Sequence, residues 1–162
     1  VIHARAAALA EAWVRLPRAL RGCVPALGMA ALWWASSRSP SGSAPTALGP
    51  LLHNAMHVVA YACVAAGLWL AWSTAPVATP QRFRSRGAWS VAALYGVVDE
   101  VHQSFVPGRD CSAFDVVSDA AGAALAIAAL RGVLCAASAW RRDVALAALA
   151  AAGGVLAATY VG

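Results

Sequence analysis

The sequence predicts an all-α protein, a polytopic transmembrane helix bundle of about five spans with a cytoplasmic N-terminus and an external C-terminus. Three observations carry this prediction. Of the 162 residues, 61% are apolar and only 12% are charged, with a mean hydropathy of +0.66; a soluble domain carries about 25% charged residues. Five stretches approach the roughly 20 mainly apolar residues that a spanning helix needs. The basic residues alternate from one connection to the next. This composition argues against both an ordinary soluble enzyme and a disordered chain.

The elements follow in order. In residues 1–19, Leu9, Trp13 and Leu16 recur at helical spacing among Arg5, Glu11 and Arg15, the pattern of an amphipathic helix lying on a membrane surface. The expected spans are Leu20 to Ser37, Leu51 to Trp72, Ala88 to Phe105, Phe114 to Leu130 and Val144 to Val161. Pro25 marks the first as kinked or short, and its end at Ala35, Ser36 and Ser37 also fits a cleavable signal, which leaves the orientation of the rest unchanged. The fifth carries Gly153 and Gly154, which membrane helices use for close packing. Arg38 to Pro50 and Ser73 to Gly87 read as loops from their Ser, Pro, Thr and Arg content. The spans from residue 20 to 130 form a four-helix core, and residues 131–162 add a loop and the fifth helix.

All twelve basic residues are arginines, and the net charge is +5. Segment by segment they number four, one, three, one, three and none, which places ten inside and two outside under the positive-inside rule. They stand in short clusters between apolar runs rather than on one aromatic-lined face, so no nucleic-acid partner is expected. Cys23, Cys63, Cys111 and Cys135 show no paired spacing, which gives neither a disulfide framework nor a zinc motif.

Five of the seven acidic residues fall between Asp99 and Asp119, inside or between two apolar stretches. An ionisable group in a bilayer costs about 2.5–3.5 kcal/mol on insertion scales and marks a functional or a paired structural site. Helical spacing puts Tyr95, Asp99 and His102 on one face, with Glu100 and Gln103 beside it; His57 and Tyr61 share a face of the second span, and Asp115, Asp119 and Gly122 a face of the fourth. At a rise of about 1.5 Å per residue, His57, Asp99 and Asp119 lie roughly 8–9 Å below the outer surface. Glu100, His102, Gln103 and Asp115 come closer to the mouth, with Arg109 above. Asp99 is assigned to the inter-helix face with Tyr95 and His57, and Glu100 to the mouth with Gln103 and Arg109. Plainer roles also fit: Ser112 and Asp115 have capping-box spacing, Pro107 and Gly108 read as a turn, and Tyr61, Tyr95, His102, Gln103 and the tryptophans suit the membrane interface.

The runs His57 to Tyr61 (HVVAY), Asp99 to Arg109 (DEVHQSFVPGR) and Asp115 to Gly122 (DVVSDAAG), with Ser36 and Ser37 before them, resemble the VanZ-like family of small bacterial membrane proteins over roughly residues 36–126. The resemblance implies roles for His57, Tyr61, Asp99, Glu100, Gln103, Arg109 and Asp115. It implies a place in the bacterial inner membrane and a link to the cell envelope, for the founding type to teicoplanin resistance, but it implies no reaction. Asn54 and Asp119 depart from the common pattern, which has lysine and asparagine there.

Three functions stay open. The first is binding or handling of an amphiphilic envelope lipid or polyprenyl carrier, with Arg109 on a phosphate and Tyr61, Tyr95, His102, Gln103, Asp115 and Asp119 lining the pocket. The second is an intramembrane hydrolase or transferase acting on a headgroup through His57, Asp99 and Glu100. The third is a structural bundle joined by a polar network. No His-Glu-x-x-His spacing indicates a metal, although carboxylate oxygens in this number are compatible with a divalent cation.

Overall fold

The computed structural model describes residues 2–39, 49–73, 81–109, 111–135 and 139–161. Among the described residues six helices follow one another: α1 (Ile2–Arg15), α2 (Arg18–Ser36), α3 (Gly49–Ala71), α4 (Gln81–Gln103), α5 (Ala113–Cys135) and α6 (Trp140–Tyr160). Among the described residues all regular secondary structure is helical. The centres of both long loops, Asp110, and the side chains of Arg5 and Cys135 lie outside the described residues.

Each apolar stretch corresponds to one of the helices α2–α6, but hydropathy and helix length part company at α4. That helix starts at Gln81, seven residues before the apolar window, so the second half of the stretch read as a loop is helical. Arg82, Arg84 and Arg86 lower the hydropathy without opposing the helix, since arginine is among the better helix formers. Among the described residues three helices, Gly49–Ala71, Ala113–Leu134 and Trp140–Tyr160, are long and apolar enough to cross a membrane. α4 misses that composition because it carries arginines at one end and Asp99, Glu100 and His102 at the other. Its 23 residues nevertheless span about 35 Å. Its buried face is Ala88, Ala92, Gly96, Asp99, Glu100 and Gln103, while Leu94, Val97, Val98 and Val101 are exposed. Apolar groups outside and charged groups inside is the inverse of a soluble helix, and it suits a lipid surround.

Contacts at two ends show that successive helices alternate in direction. At one end Ser36 meets Asp99, Asn54 meets Thr159 and His57 meets Asp119. At the other, Trp13 Nε1 donates to the Leu70 carbonyl, Arg21 to the Ser73 carbonyl and Trp69 Nε1 to Ser85. Between these ends Val64, Ala65, Leu68 and Trp69 of α3 pack against Ala88 and Ala92 of α4 and Ala123 and Ile127 of α5. Trp69 is thus a core residue, with the Arg84 guanidinium 3.7 Å from its ring.

Small residues set the helix spacing. A Cβ at Gly122 would stand 2.2 Å from the Val58 carbonyl oxygen, so α3 and α5 touch backbone to backbone there. At Gly154 it would meet Ser118 Oγ at 2.7 Å, whereas Gly153 faces open space. α2 continues through Pro25, which rests on Gly67 of α3, where an added Cβ would lie 3.4 Å from the proline ring.

Candidate functional site

The end of the bundle that carries the α4–α5 connection gathers nearly every buried acid. Asp99 (3% exposed), Glu100 (1%), Asp115 (8%) and Asp119 (0%) come from the end of α4 and the start of α5, and His57 and Tyr61 come from α3. Burying an ion costs several kcal/mol after relaxation, so each carboxylate needs donors.

Asp99 and Glu100, adjacent on α4, point about 100° apart and join different networks. Asp99 accepts from Ser36 Oγ of α2 at 2.6 Å and from Gln103 Nε2 at 3.1 Å. Gln103 Oε1 in turn accepts from Arg109 at 3.3 Å. Glu100 instead faces α3 and α5: its Oε1 lies 4.0 Å from His57 Nδ1, and its Oε2 accepts from the Ser112 amide at 2.9 Å. The expected assignment is therefore corrected for Glu100: Asp99, which faces α2 as Tyr95 does and lines one cavity with His57, is also the acid that leads through Gln103 to Arg109, whereas Glu100 turns to His57 and the start of α5. Helical spacing separates two neighbours' directions, but the rotation of α4 against its partners decides which of them faces inward.

His57 Nδ1 lies 3.0 Å from Asp119 Oδ1. Gly96 makes room for that carboxylate, since a Cβ there would sit 2.8 Å from Asp119 Oδ2. His57 Nδ1, a Glu100 oxygen and an Asp119 oxygen all lie within 4.8 Å of one another. The three ligand-type groups come from three helices, which is why no sequence spacing announces them.

The capping geometry at α5 has two contributors. The Asp115 amide reaches Ser112 Oγ at 3.3 Å, as the spacing predicts, but the Ser112 amide is held by Glu100 of the preceding helix rather than by Asp115. Among the described residues, Asp115 Oδ1, Asp119 Oδ2, Glu100 Oε1 and the Tyr61 hydroxyl are buried without a hydrogen-bond partner.

His102 and Tyr95 stand apart from this group. His102 Nε2 lies 2.9 Å from Ser37 Oγ, and its ring stacks on Trp33 at 3.8 Å. Tyr95 donates to the Met29 carbonyl at 2.6 Å, with its ring 6.2 Å from that of Tyr61. Both fasten α4 to α2. Asn54 donates to Thr159 of α6 at 3.0 Å, a tie between α3 and the helix beyond the recognised motifs.

Arg109 follows a turn in which Gly108 has φ 80°, a left-handed conformation that glycine accepts without strain. The turn directs the guanidinium back over α2, where it donates to the carbonyls of Arg38 at 3.0 Å and Ala35 at 3.4 Å. Among the described residues it pairs with no carboxylate, so neither Asp99 nor Glu100 has it as a direct partner. A cavity of about 250 Å³ opens beneath it between α2, α3 and α4. Leu32, Met56 and Ala60 form its apolar wall; Ser36, His57, Tyr61, Asp99, Gln103 and Arg109 supply polar groups.

The sequence model of the VanZ/LLP1 family matches residues 20–136, well over half of the chain and the whole of this site. The chain belongs to the VanZ/LLP1 family. No curated protein and no solved structure matches it. Within the family region, sequence reasoning passed over Gly96, which admits the Asp119 carboxylate, and it singled out Ser36 and Ser112 without their roles as partners of Asp99 and Glu100. The conspicuous Ser36 and Ser37 pair at a helix end was the available signal for the first of these partners.

Proposed function

We propose that this VanZ-like envelope protein binds an amphiphile from the outer leaflet, a phosphate-bearing lipid or polyprenyl carrier, in the cavity between α2, α3 and α4. The observation that carries the reading is the cavity's division into an apolar wall and a polar end beneath a guanidinium. Met56, 54% exposed, stands at its rim, which favours lateral entry of an acyl or prenyl chain. Three of the five guanidinium N–H groups of Arg109 are engaged, two of them over long bonds, leaving donors for a phosphate oxygen.

The reading includes five spans, an N-terminus inside and a multi-pass place in the bacterial inner membrane. The arginine alternation and the alternating helix directions support that topology. A link to glycopeptide resistance comes from the family resemblance and defines no chemistry here.

A second reading is favoured by the His57–Asp119 contact. A histidine oriented by a carboxylate at hydrogen-bond distance is the arrangement of a general base and its positioning group. In that case the bound headgroup would be hydrolysed or transferred.

The test uses purified protein in detergent and native mass spectrometry with polyprenyl phosphate and the corresponding polyprenol, which differ only in the phosphate. The phosphate form should be retained as a one-to-one complex and the alcohol should not. Equal retention of both, or of neither, contradicts the reading. Release of inorganic phosphate from the retained complex would move the assignment to the enzymatic alternative.

A further inference from the structure

We infer that His57, Glu100 and Asp119 form a binding site for one divalent transition cation of the Zn²⁺ type, beside the cavity that His57 lines. Two independent features point there. The first is geometry: one imidazole nitrogen and two carboxylate oxygens from three helices lie within 4.8 Å of one another. Ligands at about 2.0–2.1 Å from a tetrahedral ion stand roughly 3.4 Å apart. His57 Nδ1 is 3.0 Å from Asp119 Oδ1 and 4.0 Å from Glu100 Oε1, and no pair in the set is more than 4.8 Å apart, so side-chain shifts on the order of 1 Å close the set.

The second feature is the unsatisfied valence of the acids. Among the described residues, Glu100 Oε1 is buried, lacks a hydrogen-bond partner and faces His57. Asp119 Oδ2 and Asp115 Oδ1 also lack one, and Asp115 stands one helical turn before Asp119. Arg109 directs three of its donors to Gln103 and two carbonyls and reaches none of these acids among the described residues. Uncompensated carboxylates in a bundle are expensive. A divalent cation answers this need, which His57 alone cannot.

The donor set selects the class of ion. Imidazole suits zinc and its neighbours, whereas magnesium and calcium are held by oxygen alone. Three protein ligands leave a coordination position open, the pattern of zinc sites that take water or substrate. His57 lines the cavity, so that position is available to an oxygen of a bound headgroup; this last step rests on the proposed lipid reading, whereas the cation site itself does not.

The experiment needs no lipid. Protein in detergent is stripped with a chelator and titrated with Zn²⁺ by isothermal calorimetry, and metal content is then measured by elemental mass spectrometry. One equivalent should bind, and Glu100→Gln and Asp119→Asn should each weaken binding at least tenfold with unchanged elution on gel filtration. In parallel, wild-type protein is titrated with Co²⁺ and its visible spectrum recorded, so that the result is independent of how the variants fold. An intense band of four- or five-coordinate cobalt is expected, and chelator should abolish it. Absence of stoichiometric uptake, uptake unaffected by both substitutions, or the spectrum of six-coordinate aqueous cobalt would overturn the site. Lipid retention in the metal-free protein separates the two proposals: a protein that retains polyprenyl phosphate but takes up no metal refutes only the cation.

Discussion

The backbone amide of Ser112 donates to the Oε2 of Glu100 at 2.9 Å, so a buried acid in the last turn of one helix also fixes the start of the next. A capping box ordinarily draws its acid from within the helix that it caps. Here the acid comes from α4, and Asp115, at the expected position, keeps a buried oxygen with no hydrogen-bond partner among the described residues. Glu100 therefore has one oxygen in structure and one free for the site.

That division predicts unequal effects of two substitutions. Glu100→Ala leaves the Ser112 amide without its acceptor and should destabilise the protein by about 1–3 kcal/mol. Glu100→Gln keeps an acceptor there and should stay within about 1 kcal/mol of wild type. Thermal unfolding in detergent compares them, and equal losses would mean that the charge rather than the hydrogen bond holds the connection.

Helix spacing gives a prediction that is independent of charge. Gly122→Ala forces a Cβ to within 2.2 Å of the Val58 carbonyl oxygen and must push α3 from α5; overpacking of this kind costs about 1–3 kcal/mol or more. Gly153→Ala meets nothing within 4 Å and should be neutral or slightly stabilising, since alanine is the better helix former. Unfolding midpoints of the pair decide the matter, and a stable Gly122→Ala would refute the close approach of these helices.

The proposed topology is tested by reporter fusions in the 74–80 connection and after Gly162, with a cytoplasmic signal expected from the first and a periplasmic one from the second. A fusion at Gly87 would fall inside α4. Cys111, exposed beside the α4–α5 turn, should also react with a membrane-impermeant thiol reagent in intact cells. A periplasmic reporter at 74–80 would invert the arrangement and put the cavity on the wrong side.

Much of this molecule was legible in its sequence, and the limits have physical causes. Periodicity places His57, Asp99, Glu100 and Asp119 on faces that meet, because i to i+4 spacing fixes direction within a helix. It does not fix the rotation of one helix against another, so Gln103 and Arg109 were assigned to Glu100 although they belong with Asp99. Hydropathy located all the long helices yet missed seven residues of α4, since it measures suitability for lipid and not for helix. Gly96 carried no visible message: its role is a missing Cβ beside a carboxylate that lies 23 positions further along the chain.

The central claim is that the cavity beneath Arg109 holds the phosphate end of a lipid. Its most direct test is the affinity of wild type, Arg109→Gln and Met56→Trp for polyprenyl phosphate, measured in one detergent with unfolding midpoints alongside. Loss of a charge-assisted hydrogen bond of about 1.5–3 kcal/mol should weaken binding by roughly tenfold to a hundredfold in Arg109→Gln, and the indole at the rim should block entry in Met56→Trp, both with midpoints close to wild type. Wild-type affinity in both variants would contradict the account.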